Sequence, residues 1–390
     1  MRLISQEMKK IWNPIIVGIL LLFGIIYYFL FSSYYIRYYD SGAADLAGDL
    51  FQKYGSTLEY NETAEISALL AEEESRFTEM VLSLPIAVEN NIRSYEQFIA
   101  FRENYYSNNG GDADLETERV IWTITANTNL SQIQNIEEIL EDYHNKSTRR
   151  LQDGYIHAAA SSEEKARLNE LEQSDIKYGY LPTSILDHTT GLTISFMIWV
   201  AASIVILLSP TVVRDRLNRV QNLQYSSATG RRILSVQTLA AVFSAVLLTV
   251  GNCLSYGGLL ISKGALRFKE FYLFSHEYVP WVNWTYGTYL TVLAAMALVI
   301  GITTAILTVF LSRYSQNYIG MLLKALPLLA VLIALFSVLP IITRPFFMFN
   351  PMPVQWHRKG IEIILLGSLF LLSCLIMGIA LIRQQKKQLE

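Results

Sequence analysis

The chain has 390 residues, of which 52% are hydrophobic and only 17% are charged. Soluble globular domains usually carry about 25% charged residues, so the composition argues against a purely soluble protein. The net charge of −3 conceals a division, because residues 37–187 hold 12 basic and 28 acidic side chains, whereas the rest holds 19 basic and 6 acidic ones. The two parts must meet different surroundings, and disorder, a disulfide-braced scaffold and a nucleic-acid-binding domain are poor fits.

The first predicted elements are a cytoplasmic amphipathic helix over residues 1–13 and a transmembrane helix over residues 14–36. Residues 11–36 carry no charge. A helix of about 20 apolar residues crosses a bilayer core of about 30 Å, and this run is longer than the apolar core of a signal peptide. We therefore expect a retained membrane anchor.

The acidic part, residues 37–190, is predicted to be an extracellular domain that is large enough for a core of its own. Ser161 and Glu164 have the spacing of a capping box at a helix start. Ile133 and Ile136 belong to a series of apolar residues at helical spacing. The sequence therefore predicts a mainly helical domain.

The rest of the chain, residues 191–390, is predicted to be a membrane domain with five further apolar helices. We place these helices at 191–213, 234–262, 288–312, 318–342 and 361–382. The aromatic segment 271–284 precedes one of them, and its indole rings predict a position at the membrane surface or a re-entrant segment. The expected fold class is an all-α polytopic membrane protein with six transmembrane helices and a mainly helical extracellular domain.

The distribution of basic residues predicts the orientation in the membrane. With a cytoplasmic N-terminus, the short inner segments hold twelve basic residues and the short outer loops hold six. This bias follows the positive-inside rule. We therefore expect a multi-pass membrane protein with both termini in the cytoplasm and residues 37–190 outside.

The sequence lacks the motifs of common membrane-associated enzymes. It contains no HExxH, CxxC or GxSxG motif, so no catalytic or metal-binding residues are predicted and no enzymatic activity is expected. The interiors of the predicted membrane helices hold no Asp or Glu, which argues against ion-coupled transport. A phosphate-binding loop is also missing, so any ATP would be bound by a separate ATPase and this chain would bind no cofactor itself.

The longest cytoplasmic loop, residues 214–233, is the candidate contact with such an ATPase. Apolar residues at helical spacing from Val213, with arginines on the other side, predict an amphipathic extension of the second membrane helix. The candidate coupling residues are Arg214, Asp215, Arg216, Leu223, Tyr225, Arg231 and Arg232. The alternative is a basic loop whose arginines only fix the topology.

In this loop the chain resembles the permease subunits of ATP-binding-cassette exporters with the type V fold. The stretch LQYSSATGRRILSVQ supplies Leu223, Thr229, Arg231 and Ile233 in the order typical of that family, although Gln237 stands where a lysine is usual. The layout is also similar, with an amphipathic start and a domain between the first two membrane helices. The resemblance implies three partners: an ABC ATPase subunit dimer that binds ATP, a second permease subunit in a homodimer or heterodimer, and membrane lipid.

The resemblance further implies a path for an amphipathic or hydrophobic substrate, such as a lipid or an antimicrobial peptide. Asn252, Ser255 and Lys324 are candidate path residues. Small polar residues in membrane helices also serve plain packing, and Lys324 could reach the membrane interface by snorkelling. The alternative function is a non-transporting receptor or sensor whose extracellular domain binds a ligand. An ion channel would need charge rings or a filter motif, and the sequence has neither.

Overall fold

The computed structural model describes residues 2–39, 42–108, 115–151, 153, 161–218, 233–275, 278–337, 346–348 and 358–386. Every regular element in these ranges is a helix, and β-type pairing there is limited to isolated bridges. The prediction of an all-helical fold is therefore confirmed.

Five helical stretches are long and apolar enough to cross a membrane, so the chain is a multi-pass membrane protein. They are Pro14–Arg37, Thr183–Leu217, Ile233–Ser262, Tyr286–Arg313 and Ile361–Arg383. The predicted span 318–342 is described as a helix only over Tyr318–Ser337, with Pro327 inside it, and its apolar part is shorter than the other five. Residues 338–342 lie outside the described ranges, so the count of six spans stays a prediction.

The N-terminal part is a short amphipathic helix followed by the first membrane stretch. Its elements are α1 (Arg2–Ile11), α2 (Pro14–Tyr27), a π-helical turn (Tyr28–Ser32) and α3 (Ser33–Arg37). Asn13 starts α2, because its Oδ1 accepts a hydrogen bond from the Ile15 amide at 2.9 Å and Pro14 has no amide hydrogen to satisfy. The π-helical turn interrupts the regular α-helical bonding inside an apolar stretch and leaves the Ser32 side chain fully buried.

In its described residues the acidic part has seven α-helices, of which α9 and α10 match the sequence signals, and one short 3-10 helix, Asp175–Tyr178. The helices are α4 (Gly42–Tyr54), α5 (Tyr60–Leu82), α6 (Pro85–Glu89), α7 (Tyr95–Asn108), α8 (Leu115–Asn127), α9 (Leu130–Thr148) and α10 (Ser162–Glu172). The capping box is confirmed: the Glu164 amide donates to Ser161 Oγ at 3.2 Å, and the Ser161 amide donates to Glu164 Oε2 at 2.6 Å. Ile133 and Ile136 are fully buried on α9.

These seven helices have a core of their own and a second core that continues into the membrane helices. The first core groups Phe77, Phe98 and Ile124 with other buried residues of α5 to α9. In the second, Leu50 of α4 and Ile136 of α9 belong to the same buried cluster as the membrane helices. The helical domain is therefore fixed directly to the apolar part of the protein.

The remaining helices form the membrane part. They are α11 (Thr183–Leu208), α12 (Pro210–Leu217), α13 (Ile233–Ser262), α14 (Tyr286–Arg313), α15 (Tyr318–Ser337) and α16 (Ile361–Lys386). The helix ends nearest to α4–α10 are called the domain side, and the ends nearest to α1, Asn218 and Ile233 are called the loop side. Of the five membrane stretches, Thr183–Leu217 and Tyr286–Arg313 are the most buried, whereas Pro14–Arg37 and Ile361–Arg383 expose most of their apolar surface.

Among its described residues, the aromatic segment 271–284 is mainly covered by protein, and its position at the membrane surface or as a re-entrant segment stays a prediction. Phe271, Phe274, Tyr278 and Trp281 are all buried. The rings pack against the domain, as in the stacked pair of Phe51 and Phe271 with centroids 4.6 Å apart. A membrane interface and a protein core both favour such rings, so the sequence pattern alone did not distinguish them.

Two cations fasten this segment to the domain. Arg167 of α10 donates from Nε to the Pro280 carbonyl at 3.0 Å and from Nη2 to Asn283 Oδ1 at 2.5 Å. Lys146 of α9 pairs with Asp142, donates to the Gly179 carbonyl at 2.9 Å and lies 4.6 Å from the centroid of the Phe274 ring. Burial lowers the pKa of Lys146 below its ordinary value.

We predict that Gly301→Ala destabilises the protein because α11, α13 and α14 approach closely there. A Cβ atom on Gly301 would lie 2.5 Å from Thr249 Oγ1 and 3.1 Å from Ile204 Cδ1, and both neighbours are fully buried. Overpacking of this kind typically costs about 1–3 kcal/mol. Thermal unfolding of the purified protein in detergent should therefore occur at a lower temperature than in the wild type.

The matched control is Gly251→Ala. A Cβ atom on Gly251 would meet nothing within 4 Å, and alanine favours a helix over glycine by about 1 kcal/mol. This variant should unfold at or slightly above the wild-type temperature. Equal unfolding temperatures for the two variants would contradict the close approach at Gly301.

Candidate functional site

The loop side carries a set of charged and polar side chains that joins four helices next to the predicted coupling loop. We call it the loop-side cluster and define it by Glu7, Lys10, Arg214, Asp215, Arg216 and Gln237. It connects α1 with α12, α13 and the end of α14. Three of the predicted coupling residues, Arg214, Asp215 and Arg216, therefore lie in one place.

Asp215 is the centre of the cluster. Its side chain is buried, with the residue only 4% exposed, and it accepts a hydrogen bond from Gln237 Nε2 at 2.8 Å. Lys10 Nζ lies 3.6 Å from Asp215 Oδ2 and 2.6 Å from Glu7 Oε1. A buried carboxylate needs such partners, because an unpaired charge away from water is costly. Asp215 therefore links α12 to α13 and to α1.

The two neighbouring arginines bind main-chain carbonyls on other helices. Arg214 Nη2 donates to the Lys10 carbonyl at 2.9 Å, near the C-terminal end of α1. Arg216 donates to the Ser315 carbonyl at 2.6 Å and to the Arg313 carbonyl at 2.5 Å, at the C-terminal end of α14. Helix C-termini present unsatisfied carbonyls and a partial negative charge, so these are favourable contacts for a guanidinium group.

The amphipathic helix α1 is also held by an indole. Trp12 Nε1 donates to Ser244 Oγ on α13 at 3.1 Å, and Ile11 is buried with 1% exposure. Helix α1 therefore has apolar, polar and ionic contacts with the membrane helices. Movement of α12 would be transmitted to α1, α13 and α14 together, because the cluster ties all three to α12.

The remaining predicted coupling residues lie outside the described residues. These are Leu223, Tyr225, Arg231 and Arg232, all within residues 219–232. The described part of the predicted helical extension, α12, ends at Leu217. The cluster therefore reaches up to the start of this loop on the N-terminal side, and Gln237 lies one helical turn after its end.

The candidate path residues hydrogen-bond to different helices, and the described contacts do not bring the three together. Asn252 joins α13 to α11: its Oδ1 accepts from Trp199 Nε1 at 3.2 Å and its Nδ2 donates to Ser203 Oγ at 3.3 Å. Ser255 is exposed and donates to the Gly251 carbonyl of its own helix. Lys324 donates to the Tyr314 carbonyl at 2.6 Å on the loop side.

A second polar group in the membrane part was not predicted. Ser32 Oγ, in the π-helical turn, lies 2.7 Å from Ser195 Oγ and 3.0 Å from the Tyr256 hydroxyl. The Tyr27 hydroxyl donates to the Ser195 carbonyl at 2.9 Å. π-helical turns inside α-helices are rare, and those that occur are often found at functional sites. The sequence signal was the pair Ser32 and Ser33 inside an uncharged apolar run.

Two further features bear on ligands. A polar cleft of about 350 Å³ lies where α4 and α9 meet the start of α11, and its walls include Glu138, Asp142 and Asp187. Within the described ranges, no group of three or more His, Cys, Asp or Glu residues is arranged to hold a metal ion. Cys253 and Cys374 are both free thiols.

Comparison with known proteins does not assign this chain to a family. No protein-family model matches it, no curated protein matches it, and no solved structure matches its fold. The apolar helices define a multi-pass, all-helical membrane protein, and its function has to be inferred from its own residues.

We predict that Asp215→Ala loosens α1 from the membrane helices. The substitution removes the acceptor of Gln237 and one carboxylate partner of Lys10, and leaving a buried polar group unpaired costs about 1–3 kcal/mol. Thermal unfolding should occur at a lower temperature. Trypsin should also cleave after Lys10 faster than in the wild type, as measured by mass spectrometry of the N-terminal peptides.

Asp45→Ala is the matched control on the domain side. Asp45 pairs with Arg267 at 2.8 Å, but its side chain is 66% exposed. Exposed pairs of this kind contribute about 0–1 kcal/mol. Wild-type unfolding and wild-type cleavage are expected for this variant, and the same result for Asp215→Ala would show that the cluster does not hold α1.

Proposed function

We propose that the chain is the membrane-spanning permease subunit of an ATP-binding-cassette exporter, without catalytic activity of its own. It would pair with a second permease subunit, homodimeric or heterodimeric, and would move an amphipathic or hydrophobic substrate, such as a lipid or an antimicrobial peptide. A separate ATPase subunit dimer would bind and hydrolyse the ATP. The proposed location is the bacterial plasma membrane, with both termini and the loop side in the cytoplasm and residues 37–190 outside.

The loop-side cluster is the observation that carries this proposal. Asp215, Arg214 and Arg216 directly precede the loop 219–232 and bind groups on α1, α13 and the end of α14. A partner that pushes on this loop would therefore move several membrane helices at once. An ATPase needs such a mechanical connection, because its chemistry takes place outside the membrane.

The positions of the carboxylates support an external energy source. Among the described residues of the membrane part and α1, the buried carboxylates are Glu7, Asp215 and Glu362. Glu7 belongs to α1, Asp215 lies near the end of α12, and Glu362 is at the start of α16. Proton or ion coupling usually uses a carboxylate at membrane depth, so this arrangement favours ATP as the source of energy.

A receptor or sensor is the second candidate function, and one observation favours it. The polar cleft between α4, α9 and α11 is partly formed by the domain and partly by a membrane helix. A ligand bound there would contact both parts. The two functions differ in their partner, because only the permease requires an ATPase.

We predict that the wild-type chain, purified with an affinity tag from the membranes of its own host in mild detergent, brings with it a polypeptide that has a phosphate-binding loop. The double substitution Leu223→Asp and Tyr225→Asp should release this polypeptide and abolish the associated ATP hydrolysis. A buried interface anchor contributes about 2 kcal/mol or more, so two such losses should suffice. Mass spectrometry and an ATPase assay provide the measurements.

The matched control places the same two substitution types on the domain surface, as Tyr106→Asp and Leu115→Asp. Both side chains are strongly exposed, so this variant should retain the ATPase. Retention of the ATPase and its activity by the loop variant would contradict the coupling role of the loop. Absence of any such polypeptide from the wild-type preparation would favour the receptor.

A further inference from the structure

An apolar cavity of about 290 Å³ lies between α11, α13 and α14, in the half of the membrane part nearest to the domain. Its walls are formed mainly by Leu192, Phe196, Cys253, Gly257, Leu260 and Leu290. Pockets for drug-sized molecules usually measure ~300–1,000 Å³. This cavity is therefore at the lower limit of that range, and its size suits a slender apolar group.

The hydroxyl groups in the cavity wall already have hydrogen-bond partners in the protein. Thr193 donates to the Thr189 carbonyl at 2.7 Å, and Thr291 donates to the Gly287 carbonyl at 2.9 Å. Thr189 Oγ1 donates to the Ile185 carbonyl at 2.7 Å, and the Tyr256 hydroxyl lies 3.0 Å from Ser32 Oγ. Buried water needs free polar partners, and an apolar cavity without them stays dry.

The rim of the cavity faces the surroundings of the helices and not the protein core. Ile261 and Leu266 line it and are 52% and 55% exposed, respectively. A Cβ atom on Gly257 would meet nothing within 4 Å. Gly257 and Ile261 belong to a helix that is long and apolar enough to cross a membrane, and Leu266 lies in the short 3-10 turn directly after it. The opening is therefore where bilayer lipids can reach it.

The rim also carries positive charge. Lys269 lines the cavity. Lys263 and Arg267 belong to the same short loop after α13, and Arg267 is paired with Asp45 at 2.8 Å. The ion pair between Lys269 and Glu270 is 3.3 Å long, with both side chains more than half exposed. Such an exposed pair is weak, so an anionic group could compete for the Lys269 ammonium.

The geometry points to a lipid site: the cavity takes one acyl chain of an anionic phospholipid from the domain-side leaflet, with the phosphate next to Lys269. The apolar wall suits an acyl chain, and the hydroxyl groups that already have partners leave no site for water. The basic residue at the rim suits a negatively charged headgroup. This lipid site requires only that the protein is embedded in a membrane. It therefore does not depend on whether the protein is a permease or a receptor.

The test uses the full-length protein in nanodiscs that contain phosphatidylglycerol with a photoactivatable diazirine on one acyl chain. After illumination, mass spectrometry should locate adducts on the cavity-lining parts of α11, α13 and α14. Gly257→Phe should fill the cavity and lower the adduct yield there by about tenfold, the ratio that corresponds to about 1.4 kcal/mol. Gly258→Phe is the matched control, since Gly258 is exposed, has open space around its Cα and does not line the cavity.

A second filling variant, Leu290→Trp, approaches the cavity from α14 and should give the same loss if Gly257→Phe fails to fold. Adducts that spread evenly over the exposed membrane faces, or that persist in both filled variants, would overturn the site.

A separate experiment tests the headgroup. Lys269→Gln should remove a preference for phosphatidylglycerol over phosphatidylcholine, while Lys359→Gln, on another exposed turn, should leave that preference intact. Equal yields from the two lipids in the wild type would overturn the anionic assignment.

Discussion

Lipid offers no hydrogen-bond partner, so a polar group among the apolar helices is stabilised where the protein itself supplies one. Thr193 and Thr291 satisfy this constraint locally, by donating to carbonyls of their own helices. Two other residues satisfy it across helices. Ser32 has hydrogen-bond partners on α11 and α13, and Asn252 has a partner on α11. Polar side chains that bond between helices therefore mark the places where the membrane part is held together.

Charged groups follow the same constraint in a different way, because a charge is far more costly than a hydroxyl group away from water. The charges of the loop-side cluster lie at the helix ends, where Asp215 and Arg216 have partners on other helices. The contacts farther into the membrane part are neutral and contribute about 0.5–1.5 kcal/mol each. The ends are thus held firmly, while the contacts between them are individually weak enough to exchange when the helices move.

The elements that were predicted from the sequence depend on local patterns, and those that were missed depend on distant contacts. The helical class, the apolar helices and the capping box at Ser161 all arise from residues within a few turns of one another. The bond between Asp215 and Gln237 was not predicted, because the loop that separates them in sequence hides their proximity. The protein contacts of segment 271–284 were also not predicted, because aromatic residues suit an interface and a core equally and its bonds with Arg167 join residues that are distant in sequence.

One helical stretch connects the features that bear on function. Thr183–Leu217 begins at the polar cleft, forms one wall of the apolar cavity and ends in the loop-side cluster. Pro210 has no amide hydrogen, so one helix hydrogen bond is missing between α11 and α12. The stretch is therefore weakest just before the cluster, where the Ser209 carbonyl accepts a hydrogen bond from Ser312 at 3.0 Å. A force applied on the loop side would bend it there first, and α14 would follow because Ser312 and Arg313, whose carbonyl binds Arg216, belong to its end.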